Sequence, residues 1–309
     1  MKRITIAVLS LSVFILLALP FLADGENGVI DAEVRARSGG SFARGRDGSI
    51  HYQFEGPENG EIVVLVHGLS MPLFIYGPIS AVLQREGFRV LRMDLYGRGL
   101  SDRPETPYNN DLYERQLSDL FQSLNIQKPV HLIGTSMGAL VAIHFTLKYP
   151  EKVKTLGLIA PAGLPMEIPL VAKLSRLPIL GDYMMKSFGD RSLLQGTKKS
   201  FYEPEKFPDF GSLFQEQMQY KGFKRAILSS LRNMPLESFE EEYKRLGTFK
   251  IPKLLIWGKE DKVVPFKNSE LALQLLPGIE FVPLDNAGHI PHYEIPERVA
   301  PKLVEFLKR

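Results

Sequence analysis

Residues 130–150 read VHLIGTSMGALVAIHFTLKYP: a short apolar run, then Gly134-Thr135-Ser136-Met137-Gly138, then a longer apolar segment. The first part predicts a strand and the last a helix, so the serine falls on the turn between them. A G-x-S-x-G spacing matters because a serine on so sharp a turn is strained. Glycines two residues to either side let the strand and helix backbones approach without Cβ clashes. The turn also aims the positive end of the helix dipole at the serine, where charge on an oxyanion would develop. Alone, the pattern also describes an ordinary turn of small residues. The strand before it and the helix after it point instead to Ser136 as a nucleophile.

Outward from this segment, short apolar runs alternate with helical stretches, the signature of a parallel sheet with crossover helices. Strands are predicted at 49–55, 61–66, 88–93, 130–133, 155–159, 253–257 and 279–284. Helices are predicted at 77–86, 110–124, 137–149, 268–276 and 296–308. The fold class is therefore α/β, with functional residues expected just beyond the carboxyl ends of the strands. One interval breaks the alternation. Residues 161–250 are rich in Leu, Met, Phe and Lys, with helical spacing at Leu170, Leu174 and Leu177 and again over 214–231. An insertion at the end of a strand is expected to sit over the site as a helical cap. The core then divides into 49–160 and 251–309.

A serine hydroxyl needs a base, and the base needs an orienting carboxylate. Of six histidines, His131 falls in a predicted strand, His144 in mid-helix, and His51 before the main sheet signals. His67 precedes a glycine and is expected to shape its loop. His289 follows the last strand in Asp285-Asn286-Ala287-Gly288-His289 and is the preferred base. His292 is its rival, though its neighbours lead directly into the terminal helix. For the acid, Asp261 follows the strand at 253–257, with Glu260 and Asp285 as alternatives. An oxyanion site requires two backbone N–H groups, one after the nucleophile and one after the earlier central strand, which selects Met137 and Leu69.

Five ordered segments carry a resemblance: VLVHGLS (64–70), MDLYGRGLSDRP (93–104), IGTSMG (133–138), WGKEDKVVP (257–265) and NAGHIPHYEIPE (286–297). Together they resemble the α/β-hydrolase superfamily over about residues 50–308. Within it the chain is most similar to membrane-anchored monoacylglycerol lipases and carboxylesterases, which share the GTSMG elbow and an APAGLP-like cap start, here 160–165. The resemblance implies a catalytic triad of Ser136, Asp261 and His289 and hydrolysis of lipophilic acyl esters without a cofactor or metal. Epoxide hydrolases and haloalkane dehalogenases of this fold have aspartate where Ser136 stands. Carbon–carbon bond hydrolases acting on vinylogous diketones keep the serine and form the alternative, beside a catalytically silent ligand-binding member.

The N-terminus is a separate signal. Lys2 and Arg3 precede 20 uncharged residues, ITIAVLSLSVFILLALPFLA at 4–23. At about 1.5 Å per residue the run is long enough to cross a bilayer and exceeds a signal-peptide core of about 7 to 15 residues, which favours an anchor over a cleaved signal. The basic start places the catalytic domain on the exoplasmic or periplasmic side, with secretion after cleavage as the alternative. Residues 24–48, rich in Gly, Ser and Arg, read as a linker. In the whole chain of 309 residues, 38 Lys and Arg against 35 Asp and Glu give +3 without a basic stripe, so nucleic acid is not an expected partner. The absence of cysteine excludes disulfides, thiol nucleophiles and thiolate-ligated metals.

Overall fold

Eight strands form one sheet in the order β1-β2-β4-β3-β5-β6-β7-β8 in the computed structural model, which describes Thr5, residues 18–20 and residues 22–309. In chain order the elements begin with α1 (Ala32–Arg37), β1 (Ser41–Gly45), β2 (Gly48–Glu55), β3 (Ile62–Val66), α2 (Gly77–Arg85), β4 (Arg89–Met93), α3 (Asn110–Ser123), β5 (Val130–Thr135), α4 (Met137–Lys148) and β6 (Val153–Ile159). The inserted helices are α5 (Leu170–Ser175), α6 (Leu180–Lys198), α7 (Phe210–Gln215), α8 (Phe223–Asn233) and α9 (Glu240–Gly247). The core resumes with β7 (Lys253–Gly258), α10 (Asn268–Leu275), β8 (Glu280–Leu284), α11 (Pro291–Glu294) and α12 (Pro296–Leu307).

β3 to β8 run parallel, and β1 and β2 close one edge antiparallel. Every residue of β5 and β7 is buried, as strands covered by helices on both faces must be. Registration places the loops. Val66 of β3 pairs with Gly134 of β5, so residues 67–69 leave the sheet beside residues 135–137. At the other side Gly258 of β7 pairs with Leu284 of β8, which brings the loop carrying Asp261 against the loop carrying His289.

Residues 24–48 depart from the expected linker. α1 and β1 lie within them, and β1 pairs with β2 from Ser41↔Tyr52 to Gly45↔Gly48. Arg35 donates to Asp102 at 2.5 Å, while Glu26 accepts backbone N–H groups of Gly222 and Lys224 at 2.6 and 2.5 Å. Their Gly and Ser content suggested a tether, but β2 orders β1 and the partners of Arg35 and Glu26 lie 67 to 198 residues away. The predicted anchor at 4–23 lies largely outside the described residues. Among the described residues no helix is long and apolar enough to cross a membrane.

Candidate active site

Ser136 sits between β5 and α4 with φ 56° and ψ −121°, a conformation costing roughly 1–3 kcal/mol that surrounding contacts must hold. Its N–H donates to Ile159 O at 2.9 Å, tying the elbow to β6. The two glycines allow the crossing of strand and helix. A Cβ on Gly134 would lie 2.4 Å from Gly138 O, and one on Gly138 would lie 2.2 Å from Val66 O. Tyr76 supports the elbow from behind, donating to Val66 O at 2.9 Å and meeting Thr135 Oγ1 at 2.7 Å.

His289 Nδ1 is 2.8 Å from Asp261 Oδ2. The other oxygen, Oδ1, accepts from Val263 N at 2.8 Å and Val264 N at 2.9 Å, while Trp257 Nε1 donates to Oδ2 at 3.2 Å. A buried carboxylate with this many donors is fixed in orientation and held as an acceptor. His289 N–H donates to Ser200 O at 2.8 Å, so the inserted segment helps seat the imidazole. With Nδ1 committed to Asp261, Nε2 is left for the serine, and Ser136 and His289 line the same cavity. No hydrogen bond joins Ser136 Oγ to that nitrogen in this structure; such bonds tighten when substrate is bound.

The alternatives have other partners. Glu260 accepts Ala287 N–H at 2.9 Å and so braces the histidine loop, and Asp285 pairs with Lys259 at the surface. His292 is fully buried, its ring centroid 4.7 Å from that of Tyr76 and both ring nitrogens without a partner. Burial, together with the charge of His289, pushes its pKa down to about 3. His67 is also buried: Nδ1–H donates to Gly68 O at 2.9 Å and Nε2 accepts Leu95 N–H at 2.9 Å. Those two bonds fix a neutral tautomer, and burial pushes the pKa down to about 4, so its work is to shape the loop.

Met137 begins α4 beside Ser136, and Leu69 lines the cavity on the opposite loop. One residue behind Leu69 was not assigned from sequence. Arg98 is completely buried, and its guanidinium donates to Leu69 O and Ser230 Oγ, each at 2.7 Å, to Tyr113 Oη at 2.7 Å and to Tyr96 O at 3.1 Å. It thereby joins the loop carrying Leu69 to α8 of the insertion. Its signal was present in the Gly97-Arg98-Gly99 run, but only the fold shows what the arginine reaches.

The cavity holds about 360 Å³ and is mostly apolar, with Met71, Ile75, Met166, Leu193, Leu231 and Val263 among its walls. Arg176 and Glu237 supply a charged pair in that wall. Among the described residues no group of acidic, histidine or cysteine side chains is arranged to hold a metal ion.

Residues 61–296 match the family described as alpha/beta hydrolase fold. The chain is 27% identical over 263 residues to "Lipase 1" of Psychrobacter immobilis, a match covering 82% of this chain and 79% of that one. It is 29% identical over 273 residues to the 2-hydroxy-6-oxononadienedioate/2-hydroxy-6-oxononatrienedioate hydrolase of Paraburkholderia phymatum, covering 84% and 90%. Among solved structures, the enol-lactonase of Burkholderia xenovorans LB400 superposes with a TM-score of 0.75 at 21% identity, covering 87% of this chain and all of that one. The family match spans most of the chain, over the parallel sheet and strand-to-helix serine turn described above, and the chain belongs to the alpha/beta hydrolase family.

Proposed function

We propose that this chain is a serine hydrolase of carboxylic esters, acting on lipophilic acyl esters such as monoacylglycerols. The observation that carries the reading is the Asp261–His289 bond at 2.8 Å beside a strained Ser136, opening into an apolar cavity. Ser136 Oγ attacks the ester carbonyl while His289 Nε2 takes its proton, and the Leu69 and Met137 amides receive the oxyanion. Collapse expels the alcohol, which leaves with the proton from His289. Water then enters, gives its proton to His289 and attacks the acyl-enzyme, and the acid departs as Ser136 regains a proton. Asp261 holds the imidazole tautomer throughout. The apolar run at 4–23 is read as a membrane anchor with the catalytic domain on the exoplasmic or periplasmic side, and secretion after cleavage is the other reading.

A second reading, carbon–carbon bond hydrolysis, draws on the Paraburkholderia relative. That relative's name describes dicarboxylates. Here, among the described residues, Arg176 is the one lysine or arginine lining the cavity, and it is already paired with Glu237, which favours uncharged acyl esters. The test is a panel of esters of increasing acyl length run beside a vinylogous diketone, together with fluorophosphonate labelling. Labelling of wild type and its loss in Ser136→Ala support the nucleophile. Equal labelling of both refutes it, and no labelling of either favours a ligand-binding member. Faster turnover of the diketone than of any ester refutes the ester reading.

A further inference from the structure

α6 turns Gly181, Met185 and Gly189 inward and leaves an outward stripe at helical spacing: Leu180, Met184, Phe188, Arg191, Gln195 and Lys198. The stripe continues into the preceding segment. Leu170 is 70% exposed, Val171 64%, Ile179 85% and Phe188 55%, with Leu177 and Leu180 exposed beside them. Single exposed apolar residues need no explanation, whereas six within nineteen residues of one helical pair do.

Charge on the same pair is one-sided. Lys173, Lys186, Arg191, Lys198 and Lys199 are exposed and have no ion pair among the described residues. Of the acids there, Asp182 is paired with Arg232 at 2.9 Å and Asp190 with Lys224 at 2.9 Å, leaving exposed Glu167 as the remaining carboxylate. Apolar side chains flanked by unpaired cations fit the boundary of an anionic bilayer, where the rings and aliphatic groups enter the acyl region and the cations meet headgroups.

Two further placements favour a bilayer over another occupant. The uncharged N-terminal run reaches the domain next to this helix: Leu22 is 81% exposed, Asp24 pairs with Lys224 at 3.0 Å, and a Cβ on Gly25 would lie 2.9 Å from Asp190 Oδ2. Asp190 lies on α6 about 3 Å along the axis from Phe188 but on the other side of the helix, so the run meets α6 beside its exposed face. In addition, Pro169 and Ser192 are both exposed and both line the cavity of Ser136, so that cavity opens between α5 and α6 on this side.

We infer that the exposed face of α5 and α6 docks on an anionic lipid bilayer, setting the mouth of the active-site cavity against the membrane. The consequence, that ester chains pass from bilayer to Ser136 without crossing water, rests on the function proposed above. The docking itself does not.

The chain has no cysteine, so a single Phe188→Cys carries an environment-sensitive NBD label on the full chain, with Lys128→Cys as a control at an exposed site outside the insertion. Both are made on Ser136→Ala and reconstituted into phosphatidylcholine vesicles with and without phosphatidylglycerol. The expected result is blue-shifted emission from position 188, quenched by nitroxide-labelled lipid and stronger with phosphatidylglycerol, while position 128 stays water-like. Neutralising Arg191, Lys198 and Lys199 to Gln should weaken docking roughly a hundredfold, returning the 188 label toward water-like emission, while the same three changes in the chain that keeps Ser136 leave turnover of a soluble short-chain ester unchanged. An aqueous spectrum at 188 in anionic vesicles overturns the proposal. So does a label already shielded without lipid, because the N-terminal run or a second copy would then cover the face. Failure of the function reading is distinct: the 188 label would shift, but no ester would be hydrolysed by the active chain.

Discussion

Gly138→Ala isolates the contact on which the elbow depends. The added Cβ would lie 2.2 Å from Val66 O and 2.4 Å from His67 O, both backbone atoms of the central strand and its exit. Ordinary carbon–oxygen contacts begin near about 3.3 Å, so α4 must retreat by about 1 Å. Val66 O cannot yield cheaply, since it also accepts the Tyr76 hydroxyl at 2.9 Å. The retreat carries Met137 N–H with it. Misplacement by about 1 Å, or loss of one oxyanion donor, costs roughly 10²- to 10³-fold in rate. We expect kcat on a short-chain p-nitrophenyl ester to fall by that factor with KM changed far less, because the donor acts on the transition state. Overpacking of about 1–3 kcal/mol should also appear as a drop in melting temperature, independently of activity. Gly211→Ala is the control, since nothing lies within 4 Å of its added Cβ. A Gly138→Ala enzyme with kcat within about threefold of wild type and an unchanged melting temperature would refute the reasoning.

Asp261→Asn keeps the shape but loses the carboxylate that fixes the His289 tautomer, so kcat should fall about 10⁴-fold with folding intact; a loss under tenfold in steady-state kinetics would remove Asp261 from the proposed triad. Arg98→Met strips the donor from Leu69 O inside the fold, and each carbonyl so orphaned costs about 1–3 kcal/mol, so chemical denaturation should show lower stability and kinetics a fall in kcat; unchanged values for both would deny the positioning role. The acid limb of stability follows from His67 and His292. Each binds a proton near pH 6.5 when unfolded but near about 4 and about 3 when folded, so the unfolded chain holds more protons between those values and stability falls as pH drops through about 6.5. His292→Phe removes one of the two protons, and melting temperatures measured from about pH 7 to about 4.5 should decline less steeply; an unaltered slope would count against a neutral buried His292.

Legibility from sequence followed the range of the interactions. The strands at β3, β5 and β7 were readable because strands buried on both faces must be continuously apolar. α1 and β1 were not, because their residues are exposed or only part-buried for the most part, and α1 is held by the Arg35–Asp102 bond and β1 by pairing with β2. Asp261, Glu260 and Asp285 all follow a strand, so position alone left them as candidates. The indole of Trp257 and the amides of Val263 and Val264 single out Asp261. His289 was preferred to His292 by its loop position, and the bond to Asp261 on one side and burial without a partner on the other add the physical distinction.

The sequence by itself determined the class of sheet, the strained serine turn and the order of the chemical groups, because periodicity, glycine spacing and loop position are local properties of the chain. Tertiary structure alone decided how the Asp261 carboxylate is held against the imidazole, how Arg98 links the Leu69 loop to the insertion, and that residues 24–48 bind the folded domain rather than trail from it. These depend on the registers Val66↔Gly134 and Gly258↔Leu284 and on contacts across as many as 198 residues. No local pattern encodes such pairings, since they form only when the sheet closes and its loops come together at one edge.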